Sequence, residues 1–417
     1  MYENAPNRTV ICIDMRSFYA SCMALLHNLD VMKESIAIIA NHQQRGSVVL
    51  AASPPMKRKY GIKTGSRRFE IPQAPDIYLF EPKMEFFVKM SMEITRLLNA
   101  YVPKEAIHVY SVDESFVDLT GTERLWGDPM KTAQSIQQQL YSQFQLPSAV
   151  GMGPNMLMSK LALDLEAKKT DFAYWTYEDV PQKLWPLTKL SDMWGIGGRT
   201  EKSLNNLGIF SIKELAHSDL GMLEKRFGVM GNQLYYHAWG IDHSTIGAPI
   251  MQGQISYGKG QMLMRDYRER AEILAVVLEM CEDVARRARE ASQVGRTISF
   301  SLGYSKNAFG GGFSHSRTLD EATNDTMQLY RVCCELFDQY YAERPARSLS
   351  ISLSNLESER SMQLSFFDEG RWRRRRLGKT VDQIRTRYGS TALLRAVSYT
   401  TGGTAISRDG LLGGHKK

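Results

Sequence analysis

Two stretches of this chain carry carboxylates at places where acids could do chemistry. The first is an apolar run that ends in an acid, Thr9-Val-Ile-Cys-Ile-Asp14. The second is Tyr110-Ser-Val-Asp113-Glu114-Ser-Phe-Val-Asp118-Leu-Thr120, in which apolar residues lead up to two adjacent acids. Carboxylates at the junction of a strand and a turn are hard to bury without a partner. A divalent cation is the obvious partner, because hard cations take oxygen ligands. Taken alone, an Asp-Glu pair reads more readily as a solvated acidic turn; the N-terminal acid shifts that balance. Asp14 falls at the carboxyl end of a buried strand, and acids there face the crevice where ligands bind. On a strand, Asp113 shares a side with Val109 and Ser111, and Glu114 faces away unless the strand turns or bulges there. Asp14 and Asp113 are therefore expected to converge from neighbouring strands, an arrangement suited to two-metal phosphoryl or nucleotidyl transfer.

Asp14-Met-Arg-Ser-Phe-Tyr-Ala-Ser-Cys22, followed about a hundred residues later by the Asp113-Glu114 stretch, resembles a Y-family translesion DNA polymerase of the UmuC-like branch found in Gram-positive bacteria. The resemblance covers nearly the whole chain. It implies that Asp14, Asp113 and Glu114 are catalytic and, with the backbone carbonyl of Met15, hold two Mg²⁺ ions. Tyr19 matches the position of a steric gate against the ribose 2′-hydroxyl; without the resemblance it reads as a core tyrosine at a helix start. Phe18, Arg58 and Lys160 match triphosphate-binding positions, Arg58 within Lys57-Arg-Lys59 and Lys160 within Ser159-Lys-Leu-Ala-Leu-Asp164. A lysine suits phosphate as a point charge. The sequence departs from the family pattern at Arg16, Met23 and Pro55; the first two are not ligand positions, and Pro55 stands where many relatives place a phosphate-binding tyrosine.

Trp194-Gly195-Ile-Gly197-Gly-Arg199, followed by a helical stretch and Leu207-Gly-Ile209, reads as a helix-hairpin-helix signature. Its glycines let backbone N–H groups approach a DNA phosphate closely; an ordinary helical turn is the plainer alternative. Gln363-Leu-Ser-Phe366-Phe367 resembles the bacterial sliding-clamp-binding motif, carried by Gln363, Leu364, Phe366 and Phe367. It is an apolar plug in a polar setting, suited either to a partner's pocket or to packing on its own domain. Arg371-Trp-Arg-Arg-Arg-Arg376 offers charge for nucleic acid, and a membrane surface fits it less well because the run has no apolar face.

These motifs must be positioned by several domains, since 417 residues exceed one small core. The expected fold class is α+β multidomain: a right-hand polymerase with palm, small fingers, helical thumb and a βαββαβ-like little finger. The palm is expected over 1–26 and 85–171, fingers over 27–84, the thumb with its helix-hairpin-helix over 172–244, and a linker over 245–253. The little finger follows over 254–360, and a basic C-terminal tail with the clamp motif over 361–417. In the little finger, strands near Gln254–Gly260, Gly295–Ser305, Gly312–Thr318 and Ser348–Leu353 alternate with helices over Arg268–Ser292 and Glu321–Ala342. Arg286, Arg287 and Arg289 on the first helix read as a solvated face more readily than as phosphate contacts.

The net charge of +7 sits in the tail: from Ser361 onward twelve Lys/Arg stand against four Asp/Glu. No run of eighteen apolar residues predicts a membrane span, and the N-terminus lacks a signal-peptide pattern. The five cysteines show no CxxC spacing and read as reduced thiols of a cytoplasmic protein. The expected partners are primer-template DNA, deoxynucleoside triphosphates and the sliding clamp. A nucleotide cyclase with a similar acid-bearing sheet and a non-catalytic DNA-bound recruiter are the rival classes. The glycine hairpin and clamp-like plug speak against the cyclase, and the joint presence of the three acids speaks against the recruiter.

Overall fold

The computed structural model describes residues 2–247, 255–361 and 370–416. The chain divides into two compact units, one of residues 1–249 with 412–417 and one of 250–411.

The first unit begins with β1 (Val10–Met15), α1 (Phe18–Leu26), β2 (Ser35–Ile39), β3 (Val49–Ala52), α2 (Pro54–Tyr60), β4 (Ile77–Phe80) and α3 (Met84–Asn99). It continues with β5 (Ile107–Val109), β6 (Glu114–Asp118), α4 (Glu123–Trp126), α5 (Pro129–Phe144), β7 (Ser148–Gly153) and α6 (Met156–Ala162). A π-helical turn, Leu163–Ala167, joins α6 to α7 (Lys168–Thr170), and β8 (Phe172–Tyr174) follows. The five-stranded sheet runs β5-β6-β1-β7-β8, with β1 at its centre and antiparallel to β6 and β7.

The apolar run of β1 follows from burial on both faces. Ile11, Ile13 and Met15 pack with Phe18, Phe87, Ile136 and Leu140 from α1, α3 and α5. Val10 and Cys12 point the other way, into a cluster with Phe116, Leu157 and Leu161. The two-residue period thus assigns Asp14 to the α6 side, and its cross-strand partner is Glu114.

A second, three-stranded sheet, β3-β2-β4, carries α2, whose start is fixed by the Ser53 cap and prolines at its first positions. Four helices complete this unit: α8 (Gly198–Asn205), α9 (Ile212–Ala216), α10 (Leu220–Phe227) and α11 (Val229–Ala238).

In the second unit β9 (Ser256–Tyr267), α12 (Arg270–Glu290), β10 (Gln293–Tyr304), β11 (Gly312–Thr323), α13 (Thr326–Tyr340) and β12 (Ala346–Ser358) follow the expected βαββαβ order. The strands form one antiparallel sheet, β11-β10-β12-β9. The second helix starts later than expected because β11 runs on to Thr323 and Asp325 caps α13.

The stretch expected as a basic tail needs correction. Residues Gly370–Tyr388 form a helix, α14, within this second unit. Asp382 of α14 takes a bidentate pair with Arg289 at 2.6 and 3.0 Å. Arg375 and Lys379 pair with Glu359, and Arg385 and Arg395 with Glu282. Arg289 is therefore neither a solvated face nor a phosphate contact: its side chain is 6% exposed. Arg286 and Arg287 both pair with Asp283. The clamp-like segment with Gln363, Leu364, Phe366 and Phe367 lies outside the described residues. Among the described residues no helix is long and apolar enough to cross a membrane.

Candidate active site

The acids meet at the carboxyl end of β1. Asp113 is not in β6 but in the bend before it, and its backbone carbonyl accepts the Met15 N–H at 2.9 Å. The chain turns between Asp113 and Glu114, which is how both acids come to the Asp14 end of the sheet. A cleft of about 570 Å³ opens there, lined by Asp14, Met15, Phe18, Tyr19, Asp113, Lys57 and Lys168 among others. The turn from β1 into α1 is strained at Ser17, whose φ of 49° lies in the left-handed region.

The electrostatics are those of crowded carboxylates held by lysines. Burial raises the Asp14 carboxyl above its ordinary value most strongly; Lys168 opposes this, while Asp113 and Glu114 push it further up. Lys168 Nζ stands 3.4 Å from Asp14 and 2.6 Å from Asp164. Glu114 does not line the cleft; Lys160 Nζ holds it at 2.7 Å. Burial pulls the Lys160 ammonium down, but its bond to Glu114 and the charges of Asp164 and Glu114 outweigh that and hold it above its usual range. Among the described residues no three His, Cys, Asp or Glu side chains stand as a ready metal-ligand group, and Asp14 and Glu114 each face a lysine. The donors nonetheless fit a hard divalent ion: carboxylate oxygens from three acids, two of them in one cleft with the Met15 backbone.

Tyr19 lies in the cleft wall and stacks on Phe87, ring centroids 4.5 Å apart. Phe18 is buried beneath it. Arg58 is exposed and does not line the cleft, whereas its neighbour Lys57 does and bonds Ser17 Oγ at 3.1 Å. Lys160 also stays outside the lining. The sequence places Lys57 in the triphosphate-gripping stretch but gives the role to its neighbour Arg58, and it does not single out Lys168 at all. The signal for Lys168 was its i,i+4 spacing from Asp164, the same spacing that separates Lys160 from Asp164. Arg16 lines the cleft too, with its guanidinium in an ion pair with Asp171.

Gly195 takes a φ of 96°, and Gly197 caps α8, so the glycine hairpin leads into a helix as its signature requires. Gly195, Gly197 and Arg199 are exposed. Trp194 ties this hairpin to Phe116 of β6 through a tilted contact at 6.0 Å, and to Tyr110 in the loop before that strand through an edge contact at 5.9 Å.

Three family models match: the impB/mucB/samB family over residues 13–164, its HHH motif over 177–209 and its C-terminal domain over 254–366. The chain is 54% identical to the UV-damage repair protein UvrX of Bacillus subtilis strain 168, over 100% of this chain and 99% of that one. It is 35% identical to DNA polymerase IV 2 of the same organism, over 98% and 99% of the two chains. Among solved structures, a Y-family DNA polymerase chimera of Dbh and Dpo4 matches with a TM-score of 0.63 at 20% identity, over 83% of this chain and 98% of that one.

Proposed function

The chain belongs to the impB/mucB/samB family of Y-family DNA polymerases, and from that premise we infer its chemistry: it is a template-directed DNA polymerase that performs translesion synthesis in DNA repair by two-metal nucleotidyl transfer. The observation that carries the residue assignment is the gathering of Asp14, Asp113 and Glu114 at one end of the central strand. Asp14 and Asp113 would hold two Mg²⁺ ions, joined by Glu114 and the Met15 carbonyl. Bound there, the ions would polarise the primer hydroxyl and neutralise the triphosphate. Phosphoryl transfer asks the protein mainly for positioning and charge. Arg16, Lys57 and Lys168 supply the positive charge of the cleft lining; Arg16 is taken up by Asp171, which leaves Lys57 and Lys168 suited to the triphosphate. Arg58, at the next position on α2, stands just outside it. Gly195, Gly197 and Arg199 present an exposed hairpin and a cation to the duplex backbone. The direct test is primer extension on undamaged and lesion-bearing templates, with cyclic-nucleotide formation measured in parallel; extension past the lesion is the expected outcome.

Tyr19 supplies the sugar choice in this reading. The stack on Phe87 favours its place in the cleft wall, where the ring would crowd a 2′-hydroxyl. Tyr19→Ala is expected to raise ribonucleotide over deoxyribonucleotide incorporation by roughly tenfold or more. An unchanged ratio of the two incorporation rates would reduce Tyr19 to a packing residue.

The clamp partner rests on the Gln363-to-Phe367 segment. Burying two phenylalanines contributes roughly 3–6 kcal/mol before ordering costs. Phe366→Ala with Phe367→Ala is expected to weaken clamp binding by roughly 100-fold while leaving distributive extension nearly intact. Unchanged clamp binding together with a lowered melting temperature would instead make the segment a self-packed strand.

A further inference from the structure

Glu114 is held in an unusual way for an acid expected to serve a metal. Lys160 Nζ stands 2.7 Å from its Oε1, and the Cys12 thiol donates to the same Oε1 at 3.1 Å. Both contacts use one oxygen and leave Oε2 out of either. All three groups are buried: Glu114 is 8% exposed, Lys160 5% and Cys12 0%. Their meeting follows from the fold. Cys12 lies two residues before Asp14 on β1 and shares its face, and Glu114 is the cross-strand partner of Asp14. Lys160 comes down from α6 and is braced from behind by Asp164 at 3.2 Å.

A cation this deeply buried, with two carboxylates already on it, is badly placed to meet a triphosphate arriving from solvent. Lys168 is half exposed and lines the cleft. A flexible Glu, by contrast, needs help to act as a ligand. Its rotamers carry roughly 1.5–2 kcal/mol of entropy, and charge-assisted bonds in a poorly hydrated setting are the strong way to fix it.

We propose that Lys160 and Cys12 form a two-point anchor on Glu114: they are positioning residues that grip the carboxylate through Oε1 so that Oε2 is presented for a cation. This rests on the two-metal reading above. Lys160 in this role is not a triphosphate contact, and Cys12 gains a role that its apolar strand position hides.

The test uses the full-length chain on primer-template DNA. Single-turnover extension gives the rate at saturating nucleotide, and equilibrium nucleotide binding is measured on a dideoxy-terminated primer, where no chemistry follows. Lys160→Met is expected to lower the extension rate by about 10–100-fold, the usual loss when the partner that orients a metal ligand is removed. Nucleotide affinity on the blocked primer should stay within about threefold. Lys168→Met is the contrast, with the affinity falling instead. A Lys160→Met enzyme that loses nucleotide affinity and keeps its rate overturns the proposal.

If Lys160→Met does not fold, as a melting curve will show, the thiol decides. Cys12→Ala is expected to slow extension by roughly threefold to tenfold, and Cys12→Ser, which keeps a donor, should restore most of it. Equal rates for Cys12→Ala and the parent chain remove the anchor. Failure of the two-metal reading looks different: Asp113→Ala would then extend primers normally, whatever Lys160 does.

Discussion

Asp113→Ala is expected to reduce primer extension by roughly 10³-fold or more while the protein stays folded and bound to duplex. The two halves of that expectation have separate grounds. The Asp113 side chain does little for the fold: it sits in a bend, is partly exposed, and accepts one bond from Ser111 Oγ at 2.5 Å. The tie that shapes the bend, Met15 N–H to the Asp113 carbonyl, is backbone and survives the substitution. Losses at such sites are within about 0.5 kcal/mol, or a shift in Tm of about 2 °C. The chemical loss is of another order, because Asp113 is one of two acids in the cleft itself. In the two-metal reading, alanine there would remove ligand charge where the incoming triphosphate and the departing pyrophosphate must be neutralised. The measurements are single-turnover extension, duplex affinity at moderate salt and a melting curve. Normal extension rates in the variant would end the two-metal assignment.

Much of this site is legible in the sequence, for physical reasons that can be named. The apolar run into Asp14 reads as a central strand because both of its faces are covered, and the structure covers them with α1, α3 and α5 on one side and α6 on the other. The alternation across Asp113 and Glu114 required a turn if both acids were to serve one site, and the bend before β6 is that turn. The glycine hairpin and the βαββαβ order follow from local chemistry in the same way.

What the sequence hides are pairings between distant residues. Lys160 and Lys168 stand symmetrically about Asp164 in the sequence, so spacing could not say which one faces the cleft. The π-helical turn between them and the position of Glu114 on the sheet decide it. The arginine-rich run after residue 370 looked like charge for a partner. Within that run Arg375 instead meets Glu359, where Lys379 joins it, and further along the same helix Arg385 meets Glu282 about a hundred residues away. No local pattern announces an acid at that distance. Arg289 was misread for the same reason, its partner Asp382 being far along the chain.

Gly151→Val is expected to destabilise the first unit by about 3 kcal/mol or more, because the site's lysines hang from a helix that only glycine lets this close to the sheet. A Cβ at Gly151 would lie 2.1 Å from the Ser159 carbonyl oxygen and 2.2 Å from the Leu163 nitrogen. Both neighbours are backbone, so no side chain can rotate away. Gly153, two residues on and facing the same way, is nearly as tight, with Met158 Cβ and the Ser159 nitrogen each at 2.8 Å. Relief would require α6 and the π turn to lift off β7, taking Lys160 from Glu114 and Lys168 from Asp14. The transition of this unit should therefore fall by roughly 6–12 °C, and extension should fall even at temperatures where the variant is still folded. Gly151→Ala carries the same clash with less bulk and should show a smaller loss of both. Calorimetry and single-turnover extension on the two variants check this. A Gly151→Val enzyme with unchanged melting and full rate would mean that the helix can retreat without disturbing the acids, and that Lys160 need not stand where it does.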